Sequence, residues 1–431
     1  MITTLHRLQR RAATLILVAT VVVTFGLTAT PAGAQDDAGG QGFTGVPLTV
    51  DDEPVEGVRI VVTDDAGTEI AEAFSGPDGR WTADVPSPGT YTVTLDVESL
   101  PDGVDAPAET ERTIAVTSGR RRPVNFPLGD APTIDTPNTA EKIAQASLNG
   151  VKQGLIIAMC AVGLSLIFGT TGLINFAHGE LVTVGAVVAW GLNAGAGWHL
   201  LIAAPAAVVI TAIGGGLLER GMLRPLRRRQ LGSFQFVVLT IGLSLVVRHI
   251  AFLWFGGDGE FYRDYTIQSE WSWGPWSITP RDLTIMLLSI AALVAVAVVL
   301  QRTRMGKAMR AVSDNPDLAA SSGIDVDGVI LTVWIIGAGL AALGGVFLGS
   351  VVNVDWLMGF QLLLLMFAAV VLGGLGTAYG AMVGGVVIGL ATELSTIWFN
   401  PEIKSVFALG VLIVVLLVRP QGILGVKERI G

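Results

Sequence analysis

Apolar residues along this chain follow two different periods, and the change falls near residue 140. Before it they recur at every second position: Val58, Ile60 and Val62, then Trp81, Ala83 and Val85, then Tyr91, Val93, Leu95 and Val97. Such alternation turns one face of a strand to a core and the other to water. Asp64–Gly67, Gly76–Gly79 and Pro86–Gly89 place turn-forming Asp, Pro and Gly between the runs. The pattern predicts an all-β sandwich domain over residues 35–128. A stretch rich in Pro, Thr and Asp follows, expected as an irregular tether over 129–145.

Beyond the tether the apolar residues run on in blocks of about 20, the length that crosses a bilayer. Spans are expected near Val151–Phe168, Glu180–Gly197, His199–Leu218, Phe234–Phe255, Leu283–Leu300, Ile330–Val351, Gln361–Gly376, Ala381–Trp398 and Val406–Val418. The segment Gln361–Gly376 is short and Gly-rich, so a broken or re-entrant element is an alternative there. The expected fold is an all-α polytopic membrane domain of about eight to nine spans over 146–431, preceded by the all-β sandwich domain. Gly214–Gly216, Gly344–Gly345 and Gly384–Gly385 are expected to let helices pack closely. Inverted repeats are not evident.

Residues 1–34 carry Arg7, Arg10 and Arg11, an apolar core from Ala12 to Leu27 and an Ala32-Gly33-Ala34 cleavage site. These are the three parts of a secretory signal peptide, with an uncleaved anchor helix as the alternative. Either way the β domain is exported.

Composition agrees with a membrane protein: 51% of the 431 residues are hydrophobic and 15% charged, against about 25% charged in soluble chains. The net charge of −9 joins unlike halves. From Gln35 to Glu141 there are 21 acidic and 6 basic residues; from Lys142 on there are 15 acidic and 18 basic. Basic clusters at Arg220, Arg224 and Arg227–Arg229, at Arg302, Arg304, Lys307 and Arg310, and at Arg419, Lys427 and Arg429 all fall on one side of a nine-span topology. The acidic, Trp-rich loop Gly256–Ser277 falls on the other. Positive loops mark the cytoplasm, so the C-terminus is expected inside and the β domain outside a bacterial plasma membrane, with lipid around the spans. Nothing outside these short loops forms a basic nucleic-acid surface. The single cysteine, Cys160, excludes an intramolecular disulfide and a cysteine metal cluster, and reads as a buried small hydrophobe. No metal site and no catalytic residues are expected.

Two constellations carry candidate chemistry. The first is "INFAHGE", Ile174–Glu180. Polar side chains at membrane depth are costly and face a cavity or a partner. "GTTGLIN" breaks the helix, so Asn175, His178, Gly179 and Glu180 would begin the next one, whose free N–H groups can receive a carboxylate or carbonyl. Two readings stand: a border of a substrate path or gate, or a re-entrant hairpin whose polar groups cap one another. The topology puts this break nearer the cytoplasmic face. Glu393 is another carboxylate in an apolar span, lining a path or meeting a neighbouring subunit. The second constellation is Arg302–Asp325. Asn315 can cap a short helix with Pro316 first, Asp317 at its positive end and Gly323 as a left-handed stop. Its alanines and serines, Ala319, Ala320, Ser321 and Ser322, leave a smooth surface, suited to a cytoplasmic partner or to the membrane interface.

Five ordered stretches carry a family resemblance: "GLSLIFGTTGLINFAHGELVTVGA", "LERGMLRPLR", "RMGKAMRAVSDNPDLAASSGID", "VVLGGLGTAYGAMVGGVVIG" and "RPQGILG". Over Leu148–Gly431 the chain resembles the permease subunit of branched-chain amino acid ABC importers, and urea and amide importer permeases share most of these stretches. The resemblance implies a pore made with a second permease subunit, two ATPase subunits on the cytoplasmic side, and an extracytoplasmic substrate-binding protein. The loop 302–325 would be the ATPase-coupling loop, through Asn315, Pro316, Asp317, Leu318, Ala319, Ala320 and Gly323. The chain has no G-x-x-x-x-G-K-[ST] stretch, so it binds no cofactor of its own and ATP is used by partner subunits. The leader and β domain depart from the family pattern. The β domain itself resembles carboxypeptidase-regulatory-like and Cna-B-like domains in "VEGVRIVVTDDAGTEI", "SGPDGRWTADVP" and "PGTYTVTL"; its lack of lysine excludes a Lys–Asn crosslink. It reads as a docking module or a spacer. The rival to the importer is an ion-coupled secondary transporter, for which the titratable groups His178, Glu180, Arg248, His249 and Glu393 are few.

Overall fold

The computed structural model describes residues 42–425, apart from 46–48, 51–52, 65–66, 78, 88, 102–103, 105, 108–109, 117–120, 125, 127, 129–137, 230, 256–258, 266–267, 401–402 and 420. The expected signal peptide and most of the expected tether lie outside the described residues. The chain forms two compact units that divide near residue 137.

The first unit holds the strands β1 (Gly42–Gly45), β2 (Thr49–Val50), β3 (Glu53–Pro54), β4 (Arg59–Asp64), β5 (Glu69–Phe74), β6 (Thr82–Asp84), β7 (Gly89–Leu95), β8 (Glu111–Val116) and β9 (Arg121–Val124). One sheet has the order β6-β1-β9 and another β5-β4-β7-β8. β1 runs antiparallel to β6 and parallel to β9, whereas the larger sheet is antiparallel throughout. The alternating residues Val58, Ile60, Val62, Trp81, Ala83, Val85, Tyr91, Val93 and Leu95 are buried with Phe43, Val124 and Phe126 in one apolar cluster. Each large side chain so buried contributes about 1.5–3 kcal/mol of transfer free energy. Val97 departs from the expected alternation: it lies exposed in a 3-10 turn, Val97–Ser99, which Asp96 caps.

The second unit is helical. Its elements are α1 (Thr139–Thr171), α2 (His178–Trp190), α3 (Leu200–Leu218), α4 (Ser233–Phe255), α5 (Pro280–Arg302), α6 (Arg304–Asp314), α7 (Pro316–Ser321), α8 (Val326–Val351), α9 (Met358–Gly373), α10 (Ala378–Ser395) and α11 (Lys404–Val418). A π turn, Gly191–Gly195, extends α2; another, Glu219–Leu223, carries α3 on to Arg227. A short hairpin, β10 (Trp271–Trp273) and β11 (Trp276–Ile278), precedes α5. Among the described residues, six helices are long and apolar enough to cross a membrane: α1, α3 with its extension, α4, α5, α8 and α10. α9 and α11 are shorter apolar helices.

α1 begins at Thr139, well before the expected Val151 and within the stretch expected as tether. Asn138 and Glu141 form a capping box there, and the polar turn residues Lys142, Gln145 and Asn149 belong to a solvated helix that an apolar period does not mark. At 33 residues, α1 is about 50 Å long, against about 30 Å of hydrocarbon. Gln145 fixes the protruding part to the hairpin: its amide donates to Ser277 O at 2.9 Å and accepts from Ser277 N at 2.8 Å. Lys152 then meets Asp282 of α5 at 2.6 Å, and Arg281 donates to Ser350 O of α8 at 2.8 Å.

The helices form two triplets of opposite sense. α1 packs most extensively on α10, α8 on α3, and α2 lies against α9. Glycines make the contacts close: a Cβ at Gly154 would lie 2.8 Å from Val386 Cα, and one at Gly163 2.8 Å from Gly337 O. The order helix, break, short helix, long helix thus occurs at α1–α3 and again, inverted, at α8–α10. Such an order is not evident in the residues themselves, because two triplets can share backbone positions while sharing few side chains.

At one end of the bundle, Asp264 Oδ2 accepts from Leu200 N at 2.8 Å and Asn193 Nδ2 at 2.7 Å. These bonds, that from Leu200 first, hold its carboxyl below the usual carboxylate range. Their contribution is present above about pH 4 and lost as pH falls through the depressed value. The protection of the Leu200 amide against hydrogen exchange is expected to fall over that acid range, and Asp264→Ala to abolish the step. Identical profiles in the two proteins would contradict this.

Candidate functional site

The break after α1 turns the chain back on itself. Gly172 adopts φ 65°, which L side chains rarely take, and residues 173–177 are not helical. α2 then starts with His178 buried opposite Cys160 of α1, its Nε2 3.2 Å from Cys160 O. That carbonyl lies about 16 Å up the helix from the end of α1. The start of α2 is therefore deep in the bundle, well away from the end of α1 where the break begins.

α9 starts at the same depth from the opposite direction. Gly179 of α2 and Gly359 of α9 abut: a Cβ on Gly179 would lie 2.5 Å from Gly359 O, and one on Gly359 would strike Gly179 O and Thr183 Oγ1. Gly359 N donates to Thr183 Oγ1 at 3.1 Å. Neither helix is capped by the side chain of its own N-cap residue; the Gly359 N–H is met by Thr183 of α2 instead, and two positive dipole ends meet there.

Inside the break the chain bonds to itself: His178 N donates to Asn175 O at 3.4 Å and Glu180 N to Ala177 O at 3.2 Å. Asn175 Oδ1 accepts from Ala177 N at 3.0 Å. Glu180 reaches α4: Oε1 accepts from Ser244 Oγ at 2.7 Å and from Arg248 Nη2 at 2.9 Å. Glu180 and Arg248 are 2% and 7% exposed, a buried ion pair. Arg248 also lies under the Phe360 ring, 3.9 Å from its centroid. Sequence reasoning saw Arg248 only as a titratable group in an apolar run and missed Ser244. The available signal was their four-residue spacing, which puts both on one helix face.

Glu393 does not join this group. It sits near the end of α10, 3.3 Å from Lys404 Nζ, and lines a groove of about 740 Å³ with Glu141, Lys142, Gln145, Asn149 and Glu270.

At the other end of the bundle, Asn315 Oδ1 accepts from Leu318 N at 2.9 Å, Pro316 and Asp317 open α7, and Gly323 has φ 85°. Leu318 is 64% exposed, whereas Ala319 is 4% exposed and packs into the core; Ala320 and its neighbours Ser321 and Ser322 are exposed. Just beyond, Asp325 caps α8, and Asp327 receives Arg224 at 2.5 Å and Arg228 at 2.6 Å. Arg227 pairs with the buried Glu219 at 2.6 Å. Arg227, Asn175 and Trp334 share the lining of a cavity of about 20 Å³. Among the described residues no group of three or more His, Cys, Asp or Glu is placed to hold a metal ion.

Paired half-helices that meet inside a bundle of apolar spans, with a charged loop at one end, define a polytopic transport subunit. Residues 147–416 match the family described as branched-chain amino acid transport system / permease component, and the chain belongs to that family. It is 35% identical to the high-affinity branched-chain amino acid transport system permease protein LivH of Escherichia coli (strain K12), over 66% of this chain and 96% of that one. Identity to the corresponding permease protein BraD of Pseudomonas aeruginosa is 32% over the same shares. The permease protein LivM of Salmonella typhimurium is 24% identical, over 65% of this chain and 71% of that one. A solved structure, PsaBC from Streptococcus pneumoniae in complex with Fab, aligns at a TM-score of 0.37 and 12% identity over 63% of this chain and 91% of that one. The relatives named here are transport permeases and not enzymes.

Proposed function

We propose that this chain is a permease subunit of an ATP-driven importer of branched-chain amino acids. The family match over 147–416 carries the reading. In it, the chain crosses a bacterial plasma membrane eight or nine times. The β unit, a sandwich of the two sheets, stands outside after removal of residues 1–34, and the C-terminus is cytoplasmic. A second permease, two ATPase subunits and an extracytoplasmic binding protein complete the transporter, and ATP is used by the ATPase subunits. Asn175, His178, Gly179 and Glu180 border the substrate path where α2 meets α9. The loop 302–325 couples to the ATPases through α7. Glu393, apart from that path, belongs to the outer groove and contributes to docking there.

Affinity purification of the tagged chain in mild detergent tests the assembly. Two Walker-containing subunits and a second permease are expected to co-purify with ATPase activity, and the reconstituted complex to take up leucine. Recovery of the chain alone, even after crosslinking, would refute the reading.

A further inference from the structure

The Glu180–Arg248 pair is built in a way that a simple strut would not need. Glu180 Oε1 takes Ser244 Oγ, Arg248 Nη2 and Arg248 Nε, while Oε2 has no hydrogen-bond partner although the residue is almost wholly buried. A buried carboxylate oxygen left unpaired is costly. Apolar residues would join α2 to α4 as well without that cost. His178 Nδ1, two residues away, is likewise buried and unpaired. The pair stands beside the helix starts at Gly179 and Gly359, neither capped by its own N-cap side chain, whose partial positive charge suits an anion. It also lies near a flank of the bundle. Arg248 is covered by the Phe360 ring, and Phe360 is 47% exposed. One aromatic side chain separates these charges from the surface of the chain.

We propose that Glu180 and Arg248 are the resting form of a site for a zwitterion. When Phe360 swings aside, the carboxylate of an amino acid replaces Glu180 on Arg248, next to the start of α9. The released Glu180 carboxylate, through Oε2, accepts the substrate ammonium. One internal ion pair becomes two, so no net charge is added to the interior. A neutral amide such as urea offers no charges to separate the pair and does not open the site. The proposal rests on the amino acid import reading and adds the residues that recognise the charged backbone of the substrate, common to all amino acids.

The co-purified transporter, reconstituted in proteoliposomes with its binding protein and ATP, tests it in two stages. Wild-type uptake of leucine, and not of urea, is expected; the reverse overturns the import reading itself. With leucine uptake established, the exchange Glu180→Arg with Arg248→Glu is compared with wild type. It keeps an ion pair but reverses the charges presented to the substrate. The exchanged protein is expected to assemble and yet lose leucine uptake by about 30-fold or more, the scale for mispairing desolvated charges. Recovery of uptake to near the wild-type rate overturns the proposal, because the pair would then be structural. A second variant covers failure of the exchange to fold. Ser244→Cys, with Cys160 buried and silent, is treated with a small cationic methanethiosulfonate. Labelling that leucine slows and urea does not is expected; absence of labelling in the nucleotide-free, ATP-bound and vanadate-trapped states overturns the proposal.

Discussion

Gly359→Val is expected to yield no stably assembled protein. The added carbons would strike Gly179 O and Thr183 Oγ1, and neither can retreat, one being backbone and the other a β-branched side chain that accepts the bond from Gly359 N. Overpacking usually costs 1–3 kcal/mol when side chains give way; here the two half-helices must part, and the cost is expected above about 3 kcal/mol. Gly242→Val on α4 is the matched control, since a Cβ there meets nothing within 4 Å. Thermal melting and detergent yield of the two variants decide the matter. Equal melting of both would show that the meeting of α2 and α9 is not a structural keystone.

The second large effect concerns coupling. Leu318→Arg is expected to leave insertion and melting unchanged while reducing leucine uptake about tenfold or more, because it places a charge on the one large apolar side chain that α7 exposes. Ala319→Arg is a different experiment. The sequence pattern puts Ala319 on the smooth docking surface, but the fold turns it inward, where Ile324 N bonds to its carbonyl and its methyl packs in the core. That variant is expected to disrupt the loop itself and lower the melting temperature. Uptake near wild type in Leu318→Arg would count against α7 as the coupling contact.

Much of the architecture could be read from residue order. Alternation placed the buried face of β4, β6 and β7 because a strand has only two faces, and Val97 escaped because Asp96 starts a turn there. Apolar runs located the helices, yet not their ends: the solvated first turns of α1 have no apolar mark. Cap chemistry is local, and Asn315, Pro316 and Gly323 behaved as their types require. Depth and partnership are not local. Nothing near "INFAHGE" announces that Gly179 will touch Gly359, nor that Glu180 will find Arg248 across a different helix. Those contacts arise from the antiparallel packing of two triplets, which emerges only when the whole chain has folded.

The opposed triplets have a consequence for vectorial transport. A core in which α2 and α9 approach one centre from opposite faces has little intrinsic sense of direction; reversed end for end, it presents nearly the same meeting of two glycine backbones. Polarity must then come from what is unlike at the two ends. At one end stands the protruding start of α1 with the β10–β11 hairpin bound to it. At the other stand α6, α7 and the Arg224–Arg228 cluster. In such a molecule the arrow of transport is carried by its appendages, and exchanging them between the ends should matter more than altering the centre.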